Sequence, residues 1–174
     1  MVTLKGKQIY LRALEQKDLN FLYLIENDTK VWEVSGTVTP YSKDVLQLYL
    51  DNAHRDIFDV KQLRLVICTL EHKTLGLIDV FDFEPNHKRA GIGIVILDED
   101  QRNKGIGTEA ITLLTNYLYE TLGLQQVYAN ILEDNLSSLH LFKKLGFQVV
   151  GVKKDWVRFK NTFKNEVLLQ KINS

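Results

Sequence analysis

The chain has 174 residues, 45% of them apolar and 25% charged, which suits one soluble domain with a sizeable core. Lysine plus arginine equals aspartate plus glutamate at 22 each, so bulk positive charge for nucleic-acid binding is excluded. The single Cys68 excludes an internal disulfide framework and a multi-cysteine metal site, and no run approaches the ~20 apolar residues of a membrane span.

The N-terminal stretch, residues 1–8, lacks the apolar centre of a secretion signal, so a cytoplasmic protein is expected. Residues 9–14 alternate as a short strand. Asp18 is placed to cap a helix carrying Leu19, Phe21, Leu22 and Ile25. Residues 35–40 form a loop, and Ser42 caps a second helix with Val45, Leu46, Tyr49 and Leu50 as its apolar stripe. Three strands follow as a meander, residues 63–70, 75–84 and 89–97, joined by polar turns. Cys68 lies in the apolar run of the first and reads as a buried structural thiol. A helix over residues 108–122 and a strand over 126–131 come next. Asn135 then caps a helix with Leu136, Leu139, Phe142 and Leu145 inside, closed by Gly146. A strand at 147–152 and a hairpin of 157–159 with 163–169 end the chain. The order implies one α/β domain over residues 1–174, with an antiparallel half and parallel pairing after the helical crossovers.

Between the meander and its following helix stands Arg102-Asn103-Lys104-Gly105-Ile106-Gly107. A helix start offers unpaired backbone amides and a partial positive charge, and glycines let a ligand approach that backbone closely. With Arg102 and Lys104 added, the loop reads as a phosphate cradle. It is not a Walker loop, because Lys104 precedes both glycines and no Gly-Lys-Ser/Thr follows. Gly105-Ile106-Gly107-Thr108-Glu109-Ala110 fits the dinucleotide glycine pattern. However, it comes late in the chain, and no acid stands about 20 residues on.

The six-residue loop resembles the R/Q-x-x-G-x-G/A motif of the GNAT superfamily of N-acetyltransferases. The flanking blocks agree. Residues 90–97 are similar to that family's fourth strand. Asn135 through Ser138 and Phe142 to Gly146-Phe147 resemble its N-x-x-S…Y-x-x-x-G-F segment. Ile9-Tyr10-Leu11-Arg12 resembles its usual start. The likeness is nearest to the branch of ribosomal-protein alanine acetyltransferases and spermidine acetyltransferases. It implies a mixed, mostly antiparallel sheet of six or seven strands, splayed at the coenzyme site and flanked by about four helices.

The resemblance implies acetyl-CoA as co-substrate, no metal, and direct attack of a primary amine on the thioester. Pyrophosphate would sit on Arg102, Asn103, Lys104, Gly105, Ile106, Gly107 and Thr108, with Asn135, Ser138 and Phe142 along the arm. Asn103 replaces a common glycine, and asparagine tolerates left-handed backbone. The pantetheine arm would pair with the backbone of Ile96 and Leu97, and the Leu97 amide would polarise the thioester carbonyl. Gly91 and Gly93 either permit a bulge there or serve tight packing against a helix. Two positions depart from the family. Phe142 stands where many members carry the tyrosine that protonates the leaving thiolate. Ser138, one turn earlier, either takes that role or makes a helix-start hydrogen bond. Gly91 stands where many carry a glutamate. Substitutes are Asp79 as the base and Asp82 and Glu84 as acceptor-binding groups; alternatively, these are solvated strand-end carboxylates.

By resemblance, the acceptor site is lined by Glu26, Asp28, Trp32, Glu33 and Tyr41. Pro40-Tyr41 resembles spermidine acetyltransferases, but Val38-Thr39 replaces the acids that precede it there. Polyamine, protein N-terminus, amino sugar and aminoglycoside all stay open as acceptors. The alternative reading is a catalytically impaired CoA-binding sensor or scaffold, supported by the missing tyrosine and glutamate. His54, His72, His87 and His140 share no spacing and read as surface residues. No nucleic-acid or membrane partner is expected, and a homodimer is compatible with the pattern.

Overall fold

A computed structural model describes residues 4–174; residues 1–3 of the stretch read for a secretion signal lie outside it. The strands are β1 (Ile9–Ala13), β2 (Leu63–Thr69), β3 (Thr74–Glu84), β4 (Arg89–Ile96), β5 (Gln126–Leu132), β6 (Gln148–Phe159) and β7 (Thr162–Ile172). The helices are α1 (Leu19–Glu26), α2 (Thr29–Ser35), α3 (Lys43–Asp51), α4 (Ile57–Val60), α5 (Ile106–Glu120) and α6 (Leu136–Lys144). One seven-stranded sheet runs in the order β1-β2-β3-β4-β5-β7-β6. None of these helices is long and apolar enough to cross a membrane.

Two helices exceed the four expected. α2 and α4 are too short to show an apolar period. Each begins at an aspartate, Asp28 or Asp56, whose carboxylate accepts from an amide two residues on. Asp18 does not cap α1. Its carboxylate is 3% exposed and accepts from both Arg12 guanidinium nitrogens at 2.8 Å and from the Glu15 amide at 2.8 Å. It therefore ties the end of β1 to the start of α1.

Only β4 and β5 pair in parallel; every other neighbouring pair is antiparallel. The α6 crossover does not lay β6 beside β5. β7 inserts between them and bonds to both, so β5 and β6 run the same way without touching. The two short strands expected at 147–152 and 157–159 are one strand, β6, interrupted by a bulge. Lys153 opposes Glu166 and Val157 opposes Lys164, leaving residues 154–156 against Asn165 alone. Asp155 takes φ +47° there, and its amide donates to the Asn165 side chain at 2.9 Å.

Alternation along the strands divides the side chains between two apolar layers. Ile78, Val80, Ile92, Val127 and Val167 face α5 and α6. Val66, Cys68 and Leu77 face α1 and α3, with the Cys68 thiol fully buried. Asp79, Phe81 and Arg64 therefore belong to the α1–α3 face, by the same alternation.

The sheet opens at its centre. β4 pairs with β5 only at Arg89↔Gln126, Ala90↔Val127 and Gly91↔Tyr128, while β3 holds β4 as far as Ile96. Beyond Gly91 the two strands separate, leaving an unpaired edge inside the sheet. No bulge sits at Gly91 or Gly93. The irregularity is on β3, where the register shifts between Phe81 and Glu84 and Asp82 takes φ +47°.

Candidate active site

The opening between β4 and β5 leads into two joined clefts. One, of about 660 Å³, is lined by Ile94 to Leu97, Arg102, Asn103, Gly105, Gly107, Thr108, Asn135, Ser138 and Leu141. The other, of about 440 Å³, lies on the α1–α2 side. They share Val31, Val34, Ile94, Val95, Asn135 and Ser138. A ligand lying along the first therefore ends where the second begins.

The glycine loop shapes the first cleft. Asn103 and Gly105 adopt left-handed backbone, φ +61° and +81°, the conformation their side chains tolerate best. The first helical hydrogen bond of α5 runs from the Glu109 amide to the Gly105 carbonyl. The amides of residues 105–108 therefore precede the ladder and are free to face an anion. Lys104 is exposed; the Ile106 side chain turns into the core and leaves only its backbone to the loop.

The Leu97 amide, expected to polarise the thioester carbonyl, is already engaged: it donates to the Leu75 carbonyl at 3.1 Å. Leu75 lies opposite Leu97 in the β3–β4 register. In an antiparallel pair such bonds fall on alternate residues. Val95 and Gly93 are thus also turned to β3, and the amides of Ile94 and Ile96, beyond the last β4–β5 pair, point into the gap. The Ile96 carbonyl accepts from the Arg102 guanidinium at 3.4 Å.

Ser138 stands at the junction of the clefts, in the first turn of α6. Its amide donates to the capping Asn135 side chain at 3.3 Å, and no described residue engages its hydroxyl. The helix-start hydrogen bond thus uses its backbone and leaves its Oγ available. Phe142 is buried and packs edge-on against Phe147 with centroids 5.0 Å apart. It contributes shape to the cleft and no proton.

Four carboxylates, Glu26, Glu33, Asp79 and Glu166, line the second cleft against one guanidinium, Arg64. Arg64 donates from Nε and Nη2 to the two Asp79 oxygens at 2.7 and 3.0 Å, and from Nη1 to Glu26. Burial disfavours the Arg64 charge, but Asp79, Tyr49 and Glu26 outweigh it and hold it above the ordinary arginine range. Asp79 therefore lies in the cleft with both oxygens engaged. Glu33 pairs with Lys164, which also meets Asp134 at 2.7 Å; the hydrogen bonds it donates to Asp134 and Glu33 raise the Lys164 ammonium above its ordinary range.

Other sequence-predicted residues fall elsewhere. Tyr41 borders a third recess of about 410 Å³, next to Glu26, Arg64 and Asp79. The Trp32 indole is committed to the Glu26 carbonyl at 2.7 Å and lines none of these recesses. Asp82 and Glu84 also lie outside them. The β3 bulge turns Asp82 out to solvent, beside the Tyr128 hydroxyl at 3.4 Å, and Glu84 accepts from the Asn86 amide at 3.4 Å. Arg64 and Glu166 were missed. Their only signal is a charge inside an apolar strand, at Leu63-Arg64-Leu65 and Glu166-Val167-Leu168.

Residues 8–148 match the family described as Acetyltransferase (GNAT) domain. The chain belongs to the GNAT acetyltransferase family. It is 30% identical to the spermidine N(1)-acetyltransferase of Escherichia coli K12 over 143 residues, 82% of this chain and 74% of that one. The spermidine N(1)-acetyltransferase of Vibrio cholerae is 29% identical over 146 residues, 84% of this chain and 82% of that one. In fold it matches the crystal structure of a Vibrio cholerae spermidine N-acetyltransferase in complex with CoA and spermine. The TM-score is 0.86 at 23% identity, with 96% of each chain covered. As a GNAT enzyme, the protein is an acetyl-CoA-dependent N-acetyltransferase that acts on a primary amine.

Within this GNAT domain, Gly91 has a packing reason. A Cβ there would lie 2.2 Å from the Phe81 ring, which also stacks edge-on with Tyr128 at 5.8 Å. Phe81 thus occupies the space a side chain at 91 would need. Gly91→Glu is expected to lower unfolding stability by about 1–3 kcal/mol through overpacking. Adding Phe81→Ala should recover part of it, as read by urea denaturation. A Gly91→Glu variant as stable as the wild type would refute this account.

Proposed function

We propose that acetyl-CoA lies in the first cleft, and that a small aliphatic amine, polyamines foremost, enters the acidic second cleft as its ammonium. Four carboxylates line the mouth of the β4–β5 opening against Arg64, Lys153 and Lys164, and the negative charge left over carries this reading. The spermidine acetyltransferases among the relatives support it. The coenzyme's pyrophosphate rests on the amides of residues 105–108, with Arg102 beside them. Its pantetheine arm adds to the free edge of β4, and the amide of Ile94 or Ile96 stabilises the thioester oxyanion. The amine attacks directly, because Cys68, the only thiol, is buried outside the cleft. Ser138 Oγ donates a proton to the departing thiolate.

Thiol release should be screened with spermidine, putrescine, glucosamine and a peptide with a free alanine N-terminus. Turnover confined to the amines of small size supports the reading, and turnover of the peptide alone refutes it. Ser138→Ala is expected to lower kcat by about 10²-fold, with acetyl-CoA affinity unchanged. An unaltered kcat would remove Ser138 from the chemistry.

A further inference from the structure

The acceptor amine arrives protonated, since alkyl ammonium groups have pKa values near ~10. A carboxylate must take that proton before attack. Gly91 supplies none, and both Asp79 oxygens are held by Arg64, which Glu26 shares. Glu26 and Glu33 stand on α1 and α2, whereas the opening itself is bordered by strands.

Resting on the amine acceptor proposed above, we infer that Glu166 of β7 is the base that receives this proton. Its position follows from register. Gly91 lies beside Tyr128 in the last parallel β4–β5 pair, so continuing the count brings Val95 level with Leu132. Leu132 is paired with Glu166. Glu166 therefore stands level with Ile94 to Ile96, across the opening, where the thioester carbonyl would be polarised. Its neighbour Val167 points into the α5–α6 layer, so Glu166 points to the acceptor face. It lines the acidic cleft with Asn130 and Ser138.

The carboxylate is held and yet available. Its side chain is 17% exposed, with one oxygen 2.7 Å from Lys153 Nζ. No described residue engages the other. Lys153 is fixed in turn by the Asn130 side-chain oxygen at 3.3 Å and by the Trp156 ring at 4.9 Å. The β6 bulge begins immediately after Lys153, and bulges beside active sites commonly re-aim a side chain. The nearby charges are Lys153 from β6, Lys164 from β7 with Glu33 from α2 and Asp134, and the Arg64 cluster from β2.

In the step, R–NH3⁺ gives one proton to Glu166. The freed nitrogen pair forms the C–N bond at the thioester carbon. Collapse of the tetrahedral intermediate breaks the C–S bond. The nitrogen loses its second proton as Ser138 donates one to the thiolate, and these two transfers balance through the hydroxyl. Glu166 then releases its proton to water. The sum is amide, CoA thiol and one proton.

The test follows kcat of thiol release from pH 6 to 10 at saturating acetyl-CoA and saturating amine, using the best amine of the panel. Glu166→Gln is expected to lose about 10²-fold in kcat at pH 7 and to recover towards pH 10, where solution supplies free amine. CoA affinity by calorimetry should stay at the wild-type value. A kcat within threefold of wild type, with the same pH profile, overturns the inference. Lys153→Met leaves the carboxylate in place and removes the cation that orients it, so kcat at pH 7 should fall about tenfold with CoA affinity unchanged. A kcat at the wild-type value also overturns it, whether or not Glu166→Gln folds. If no amine turns over, the acceptor reading fails separately. Glu166 is then read by butylamine binding to the CoA complex, expected at least tenfold weaker in Glu166→Gln; equal affinity counts against it.

Discussion

Gly107→Val is expected to weaken acetyl-CoA binding by about 100-fold, or about 2.7 kcal/mol. A Cβ at 107 would lie 3.0 Å from Leu141, 3.9 Å from Ile96 and 4.0 Å from Ile94. All three border the donor cleft. One further branch must either push α6 away from β4 or project into the space the coenzyme needs. The residue is also in the first turn of α5, where its own amide belongs to the anion cradle. Calorimetry with CoA measures the loss. The overpacking cost should be about 1–3 kcal/mol in unfolding stability, so the comparison is made well below the transition. An affinity within threefold of wild type would show that the coenzyme does not pass Gly107.

Asp18→Ala is expected to cost about 3–5 kcal/mol of unfolding stability, because it strands a mostly buried guanidinium. Arg12 has a 16% exposed side chain and gives two hydrogen bonds to this carboxylate and one to the Ala13 carbonyl at 3.0 Å. Burial by itself would push the Asp18 carboxyl up. The Arg12 hydrogen bonds and the Glu15 amide overcome that and leave it below the ordinary value of 3.8. A carboxyl lowered in the folded state binds its proton more readily when unfolded. Its contribution is therefore complete above about pH 4 and disappears as pH falls through the lowered folded value. Urea unfolding of the wild type and Asp18→Asn from pH 5 to pH 2 measures it. The two curves should converge on acidification, and parallel curves would exclude Asp18 as the source.

The coenzyme side of the protein was legible in local sequence. A loop with Asn103 and Gly105 at left-handed positions, followed by an uncapped helix start, needs few distant partners to form an anion cradle. Asn135 and its helix are equally local, since the cap bonds an amide three residues on. The acceptor side was legible only in part. Glu33 and Asp79 reach the cleft, but what each can do depends on Lys164 and Arg64, which arrive from other strands. Asp82 and Glu84 miss the cleft because both follow the β3 irregularity after Phe81, which turns Asp82 to solvent and puts Phe83 in the α5–α6 layer.

By itself, the sequence determined the element order, the single α/β domain, the phosphate-binding loop and, through four ordered motifs, the transferase family. These depend on periodicity, caps and glycine conformations, all set within a few residues. Only the tertiary structure decided three other matters. It placed β7 between β5 and β6, which brings Glu166 beside the opening. It turned the Leu97 amide to β3 and those of Ile94 and Ile96 to the gap, an outcome of strand register. It laid Phe81 over Gly91, so that the missing glutamate is a filled space and not an empty one. Each is a contact between residues far apart in the chain, and pairing register carries no signature in either partner's local sequence.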